Sequence, residues 1–299
     1  MGAIAAPTIK RESLLKRKKI PPARLLMRTV VYLLLLLVAV AVIMPLMWAF
    51  SASLTPDAKV FTYVFPFSWR AFLPADFTLE NYKELFDPGG VYGRAVINTL
   101  ILGFTAVFLA GGASALAGFA LARFSFRGRD LLFSTVLLAF MIPSALTTIP
   151  LYIIVSRLGW INTWQALILP GLGNSLIIFL FRQFFAEIPQ DYLDAARVDG
   201  ASWIRVLTGI VLPMSKPVLT TASLLLFLGQ GNNFFWPLLV APAPRFRVVQ
   251  VAVSYAYEQY GTRWGLLMAG SVFAALIPIL LVLPFQRYYV SALVGGLRE

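Results

Sequence analysis

The residues whose types and spacing could do chemistry lie in one polar segment between two apolar runs. Two carboxylates, Asp194 and Asp199, frame a stretch rich in small residues, and Gly200 follows at once. Gly200 can take the left-handed conformation that ends a helix, and Ser202 is placed to cap a second helix. The candidate contact residues of this segment are Asp194, Ala195, Ala196, Asp199, Gly200, Ala201 and Pro213. A helical hairpin with this surface suits the docking of a soluble partner; an ordinary amphipathic linker packed on its own protein is the alternative.

A second group of polar side chains stands at the C-terminal end of the fifth apolar run. It combines carboxamide groups with an indole ring, in Gln230, Asn232, Asn233 and Trp236. These groups suit a ligand rich in hydroxyls, because a hydroxyl left unpaired in a low-dielectric path costs free energy. The sequence also allows a segment that caps the run, contacts an external protein or simply turns the chain.

Catalysis and metal binding are not indicated. The chain has no cysteine and no histidine, which removes thiol nucleophiles, imidazole bases and the usual zinc ligands. We therefore predict no catalytic residue, no metal site and no cofactor bound by this chain. The net charge of +12 does not indicate nucleic acid, because the basic residues flank apolar runs and form no long stripe.

The apolar runs that must position these residues are long enough to cross a membrane. Hydrophobic residues make up 59% of the 299 residues and charged residues only 13%, with a mean hydropathy of +0.80. A run of about 20 apolar residues can span a bilayer as a helix. Six runs qualify: 29–50, 95–122, 131–156, 164–181, 210–229 and 264–286. The predicted fold class is an all-α polytopic membrane protein with six transmembrane helices.

The basic residues predict how the chain crosses the membrane. Segments on the side of the N-terminus hold about twice as many Lys and Arg as those on the other side, which places both termini in the cytoplasm. The long basic start and the length of the first run favour a retained span over a cleaved signal peptide. In the external segment, the aromatic stretch 61–69 and a helix capped by Thr78 suit the membrane surface or contact with a partner. The predicted organisation is a basic cytoplasmic tail (1–28), a first span with an external segment (29–93), a core (94–290) and a cytoplasmic C-terminus (291–299).

The polar hairpin resembles the EAA loop of permease subunits of binding-protein-dependent ABC importers. That loop has a Glu-Ala-Ala triplet, then a glycine after three further residues, and later a Leu-Pro pair. Asp194-Ala195-Ala196, Gly200 and Leu212-Pro213 stand at those places. Asp194 departs from the family's Glu, with the same charge and one methylene less. Further segments are similar to the carbohydrate subfamily, in particular to its second, maltose-type permease subunit: 142–143, 149–152, 169–171, 229–238 and 285–290.

The resemblance implies a type I ABC importer permease fold in a prokaryotic inner membrane, with a coupling helix at about 188–208. It implies that the chain forms half of the pathway for a mono-, di- or oligosaccharide. The expected partners are a homologous permease subunit in a heterodimer, two ABC ATPase subunits that bind ATP and Mg, and an extracytoplasmic solute-binding protein. On this hypothesis Asp194 makes a polar contact with the ATPase, Ala195 and Ala196 pack closely, and Gly200 forms the corner.

Three other functions stay open. A permease of the same kind for glycerol-3-phosphate or a related phosphodiester would favour Arg or Lys in the pathway, and no predicted span offers one in its core. A membrane enzyme would need carboxylates or histidines grouped at the membrane surface, and the sequence shows no such group. A secondary transporter would place ionisable residues in mid-membrane.

Overall fold

The computed structural model describes residues 22–87, 90–259 and 263–283. Every regular element within these residues is helical. The chain divides into two compact units, residues 1–48 and 49–299. The predicted cytoplasmic C-terminus, 291–299, lies outside the described residues, as does most of the predicted basic tail.

The described part of the first unit is an apolar helix. Helix α1 runs Pro22–Ser53 with Pro45 inside it, and its last residues belong to the second unit. The stretch Leu26–Ser53 has a mean hydropathy of 2.9 and is long and apolar enough to cross a membrane. The first predicted span, 29–50, lies within this helix.

The second unit is built from helices joined by short connections. Its first long helix contains a π-helical turn, and a second π-helical turn follows the hairpin. In chain order the elements are α2 Glu80–Leu85, α3 Val91–Thr105, the turn Ala106–Ala110, α4 Gly111–Arg123, α5 Arg129–Met141, α6 Ser144–Arg157, α7 Trp164–Ile168, α8 Ser175–Glu187, α9 Gln190–Val198, α10 Trp203–Val206, the turn Leu207–Val211, α11 Leu212–Met214, α12 Lys216–Gly231, α13 Phe235–Val240, α14 Val249–Gln259 and α15 Trp264–Val282.

The core that positions the hairpin lies where α4 packs against α8. Gly118 lets the two helices approach closely, since a Cβ built on it would be 2.7 Å from the Cβ of Phe181. Phe181 and Phe185 stack with their ring centroids 5.3 Å apart, and both are almost fully buried. The same apolar cluster extends into the hairpin through Leu193 and Val206. The hairpin is therefore seated on the body of the protein and does not hang from it as a free loop.

Three of the predicted spans are bent. The axes of α5 and α6 differ by 99°, because Pro143 disfavours the helical conformation at Ile142, whose ψ is 121°. The helices on either side of Ser215 differ by 88°; there Pro217 has no N–H to offer the carbonyl of Pro213. A smaller bend of 40° separates α8 from α7 and the 3-10 turn Leu169–Gly171 that follows α7.

These bends leave the prediction of six spans unconfirmed. By length and composition, the described residues contain two helices that can cross a membrane, Leu26–Ser53 and Tyr92–Arg123. The number rises to five if each bent pair counts as one span. The end of the sixth predicted run, 264–286, lies outside the described residues.

Ion pairs hold the segment 54–87 against the start of α15. Arg263 donates to Asp57 Oδ2 at 2.8 Å and also to Glu84. The hydrogen bond to Glu84 raises the pKa of the Arg263 guanidinium most, and the hydrogen bond to Asp57 raises it further. Asn81, on α2, donates to the carbonyl of Ser53 at 2.9 Å. The segment is thus tied both to the end of α1 and to α15.

The predicted aromatic stretch is exposed. Phe65 and Trp69 are 80% and 73% exposed. Close to them in the chain, Lys59 Nζ donates to Asp76 Oδ1 at 2.9 Å; this hydrogen bond raises the pKa of Lys59 and lowers that of Asp76. Thr78 accepts from the N–H of Glu80 at 3.2 Å, but the N-cap of α2 is Leu79, so the cap predicted at Thr78 is wrong by one residue. A place for this stretch at the membrane surface stays a prediction.

Candidate functional site

The hairpin, residues 188–208, has the predicted form of a helix, a glycine corner and a second helix. Its corner is a Schellman motif at Gly200, whose φ is +80°. The N–H of Gly200 donates to the carbonyl of Arg197 at 3.1 Å, and the N–H of Ala201 donates to that of Ala196 at 2.9 Å. The carbonyls at the end of α9 are therefore paired within the corner, which fixes the direction in which the chain leaves the helix.

Side chains join the two helices of the hairpin. The predicted cap, Ser202, accepts from the N–H of Arg205 at 3.3 Å, which confirms its role at the start of α10. Arg197 donates to the carbonyl of Ala201 at 2.6 Å and lies 4.9 Å from the centre of the Trp203 ring. A guanidinium over an aromatic face is attractive, so Arg197 links the first helix to the second.

The hairpin has one buried and one exposed side. Leu193 and Val206 are fully buried in the core cluster. On the exposed side, Tyr192 is 55%, Val198 88% and Ile204 61% exposed. Exposed apolar side chains on a rigid support are typical of an interaction surface.

The predicted contact residues divide between these two sides. Asp194, Ala195, Asp199 and Gly200 are exposed, and Pro213 is exposed at the start of α11. Ala196 and Ala201 are half-buried and pack against the protein's own core cluster. Close packing by Ala196 is therefore directed at least partly inward, whereas Ala195 presents a small side chain to the outside.

Sequence reasoning missed Arg123, which is connected to Asp194 through Gln190. Gln190 Nε2 donates to Asp194 Oδ1 at 3.0 Å, and Arg123 Nη1 in turn donates to Gln190 Oε1 at 3.0 Å. Arg123 also donates to the carbonyls of Phe185 and Ile188 at the end of α8. Because 67 residues separate Arg123 from Gln190, no local pattern reveals the contact.

The second predicted group is largely engaged within the chain. Trp236 Nε1 donates to the carbonyl of Ala166 at 2.9 Å, and its ring packs in a second core cluster. Asn233 Oδ1 accepts from the N–H of Trp236 at 3.4 Å. Gln230 and Asn232 each line a cavity of about 10 Å³, room for one water molecule. A role of these residues in a substrate path stays a prediction.

A larger groove, which sequence reasoning did not identify, lies between α3 and α12. Its volume is about 290 Å³, close to the lower limit for small-molecule sites. Its walls combine aromatic rings with hydroxyl groups. The lining residues are Phe104, Val107, Phe108, Leu219, Thr220, Ser223, Leu224, Phe227 and Leu228. More than a hundred residues separate the two walls, so only the fold brings them together.

Comparison with protein families identifies the family to which the chain belongs. The model of the family described as "Binding-protein-dependent transport system inner membrane component" matches residues 113–293, a range that includes the whole hairpin. The chain belongs to this family. It is thus a permease component of this class of transport system rather than an enzyme, and it is an inner-membrane protein.

Curated relatives of this permease extend the match over most of its length. The arabinooligosaccharides transport system permease protein AraQ of Bacillus subtilis is 34% identical, over 75% of this chain and 80% of the relative. The trehalose/maltose transport system permease protein MalG of Thermococcus litoralis is 32% identical, over 96% and 98%. The sn-glycerol-3-phosphate transport system permease protein UgpE of Salmonella typhi is 31% identical, over 85% and 92%.

A solved structure shows the fold of the permease. The crystal structure of a bacterial ABC transporter involved in the import of the acidic polysaccharide alginate contains a chain that matches with a TM-score of 0.74. The match covers 95% of this permease and 99% of that chain at 22% identity, and so establishes the fold alone. The permease therefore has the all-α, type I importer fold that the resemblance implied.

Proposed function

We propose that this permease forms half of the membrane pathway of an ATP-driven importer for a sugar. Several curated relatives carry names of sugar transport systems, for arabinooligosaccharides and for trehalose or maltose. The observation that carries the proposal is the hairpin, with its fixed glycine corner, buried base and exposed face. Such a surface can receive a push from a partner and pass it to the helices on which it is seated.

In this proposal the hairpin is the coupling helix. The importer has two ATPase subunits, which bind ATP and Mg. One of them docks on the exposed face of this hairpin, with Asp194 and Ala195 in the contact and Gly200 at the corner. A conformational change is driven only by contacts that differ between two states. Closure of the ATPases on ATP would supply that difference, and the bend of 88° at Ser215 lies between the hairpin and α12. A displacement of the hairpin would therefore reach α12 through this bend, at the N-terminal end of the helix.

The groove between α3 and α12 is the proposed wall of the sugar path in this chain. The CH faces of a sugar pack on aromatic rings such as those of Phe104 and Phe227, and its hydroxyls need polar partners such as Ser223. Gln230 and Asn232 extend the polar lining toward the end of α12. A homologous permease subunit would close the other half, since a groove of this kind is open on one side.

A phosphodiester is the second candidate substrate, because one relative is named for sn-glycerol-3-phosphate transport. A phosphate in the path would favour Arg or Lys. None of the nine lining residues of the α3–α12 groove is charged. The sugar is therefore favoured for the path in this chain.

The proposed placement follows the charge pattern. Both termini and the hairpin lie on the cytoplasmic side, where Lys and Arg are enriched, and the segment 54–87 lies outside. An extracytoplasmic solute-binding protein would deliver the substrate on that outer side and chiefly select it.

A pull-down tests this function. The tagged permease is purified in mild detergent from its native membrane, and the co-purifying proteins are identified. We expect a P-loop ATPase and a second permease; the associated binding protein is then screened by thermal shift against mono-, di- and oligosaccharides and glycerol-3-phosphate. Isolation of the chain alone, from membranes shown to contain such an ATPase, would contradict the proposal.

A further inference from the structure

A missing hydrogen-bond donor marks the junction between α8 and the hairpin. Helix α8 ends at Glu187, and Pro189 follows two residues later. In a continuing helix the N–H of residue 189 would donate to the carbonyl of Phe185, but proline has no N–H. The chain also turns extended at Ile188, whose ψ is 127°. The last carbonyls of α8 therefore need a donor from elsewhere.

Arg123, the last residue of α4, supplies that donor. Its Nη2 donates to the carbonyls of both Phe185 and Ile188. An arginine at the C-terminal end of a helix also interacts favourably with the helix dipole. The planar guanidinium can bind two carbonyls and still direct its other terminal nitrogen elsewhere.

The other terminal nitrogen connects to the exposed face of the hairpin. Arg123 Nη1 donates to Gln190 Oε1 at 3.0 Å, and Gln190 Nε2 donates to Asp194 Oδ1 at 3.0 Å. This chain of hydrogen bonds runs from the end of α4, across the start of α9, to the acidic residue of the proposed docking surface. It gives Asp194 a defined orientation although its side chain is exposed.

Arg123 is also connected to the groove through its own helix. Phe108 lines the groove from the π-helical turn, and Arg123 ends the helix that continues from that turn. At about 1.5 Å per residue, the two lie roughly 22 Å apart along one rigid element. A displacement of the hairpin that moves Arg123 is thus transmitted to the wall of the groove.

We propose that Arg123 is the positioning residue of the hairpin. It fixes α9 against α4 and α8, and through Gln190 it orients Asp194 toward the ATPase. This inference rests on the proposed function, because it names the residue that makes the coupling helix competent to receive the push.

Because this chain has no cysteine, a single introduced cysteine gives one defined attachment site on it. A photoreactive crosslinker is attached to V198C, since Val198 is 88% exposed on the hairpin. Crosslinking to the ATPase is measured in the purified complex, together with ATP hydrolysis. Three variants are added to this parent: Arg123→Met, Gln190→Leu and the double substitution. The matched control is Arg129→Met, which removes another arginine; among the described residues, its side chain pairs with its neighbour Asp130 at the protein surface.

We expect Gln190→Leu to lower the crosslink yield by about fivefold, the scale of a net hydrogen-bond contribution, because it disconnects Asp194 from Arg123. Arg123→Met should lower the yield at least as much, because it also leaves the carbonyls of Phe185 and Ile188 without this donor. The double variant should lose no more than Arg123→Met alone, because both substitutions break one chain of contacts. Arg129→Met should keep the parent yield. Gln190→Leu leaves the carbonyls of Phe185 and Ile188 paired with Arg123. It therefore separates the orientation of the docking surface from folding, and it decides the case if Arg123→Met does not accumulate.

Two results would overturn the positioning role of Arg123 but not the coupling role of the hairpin. The first is a crosslink yield in Gln190→Leu equal to that of the parent, and the second is additive losses in the double variant. A parent that shows no ATPase crosslink in a complex that hydrolyses ATP would overturn the coupling role of the hairpin, and this inference with it. The two failures are therefore distinguishable.

Discussion

Gly200 holds the corner of the hairpin at a φ of +80°, and a Cβ built on it meets nothing within 4 Å. A side chain there would be penalised by backbone strain and not by a clash. The left-handed conformation costs a residue with a Cβ about 1–2 kcal/mol, more for a β-branched residue, and less for Asn or Asp. That cost changes the population of the corner by about 5–30-fold. We therefore expect coupling to fall in the order Gly, Asn, Ala, Val at position 200.

The matched control for this series is Gly209. It also has open space around its Cβ, but it lies inside a helical turn and has no positive φ. Gly209→Ala should leave coupling unchanged, whereas Gly200→Ala should reduce it. The assay is substrate uptake per ATP hydrolysed in reconstituted vesicles, at equal membrane abundance of the permease. Equal coupling for glycine and valine at position 200 would refute the claim that the corner transmits the push.

Three further changes have defined outcomes. Gly118→Ala places a Cβ 2.7 Å from that of Phe181, so overpacking should lower the stability of the solubilised permease by about 1–3 kcal/mol, measured by thermal unfolding; an unchanged midpoint would exclude close α4–α8 contact. Trp236→Phe removes one hydrogen bond, worth about 1 kcal/mol. It should lower the thermal midpoint without changing the KM for uptake, and a raised KM would instead place the indole in the substrate path. Asp76→Asn should lower the midpoint slightly at pH 7. Because Lys59 lowers the pKa of Asp76, that contribution is lost as the pH falls below the ordinary value of 3.8, so the parent and variant should converge there; a constant difference would show that the charge is irrelevant.

The features that the sequence predicted correctly are those decided within a few residues. Gly200 and Ser202 set the corner and the second helix by local hydrogen bonds, and the structure confirms both. The apolar composition likewise indicated helices that cross a membrane. In each case the deciding interaction is local or is made with solvent or lipid, so a single stretch of sequence contains it.

The features that the sequence did not predict depend on distant partners. Pro143 and Pro217 stand within or next to apolar runs, and hydropathy alone does not distinguish a tolerated kink from a bend near a right angle. Trp236 looked suited to a sugar, yet its N–H is paired with a carbonyl 70 residues away in the chain. Arg123 looked like an ordinary basic flank of a span. Pro189 indicates that a carbonyl at the end of α8 needs a replacement donor, but no local pattern identifies Arg123 as that donor.

The π-helical turn Ala106–Ala110 sets the rotational phase of the helix that carries both the groove wall and Arg123. Each residue advances an α-helix by about 100°, so the one extra residue of a π turn rotates everything beyond it by that angle. If the same residues wound as a regular α-helix, every residue beyond the turn would be rotated by that angle. Every side chain would stay chemically intact, but Arg123 would turn away from the end of α8. The angular relation between the groove and the hairpin is thus set by the winding of this turn rather than by the identity of any side chain.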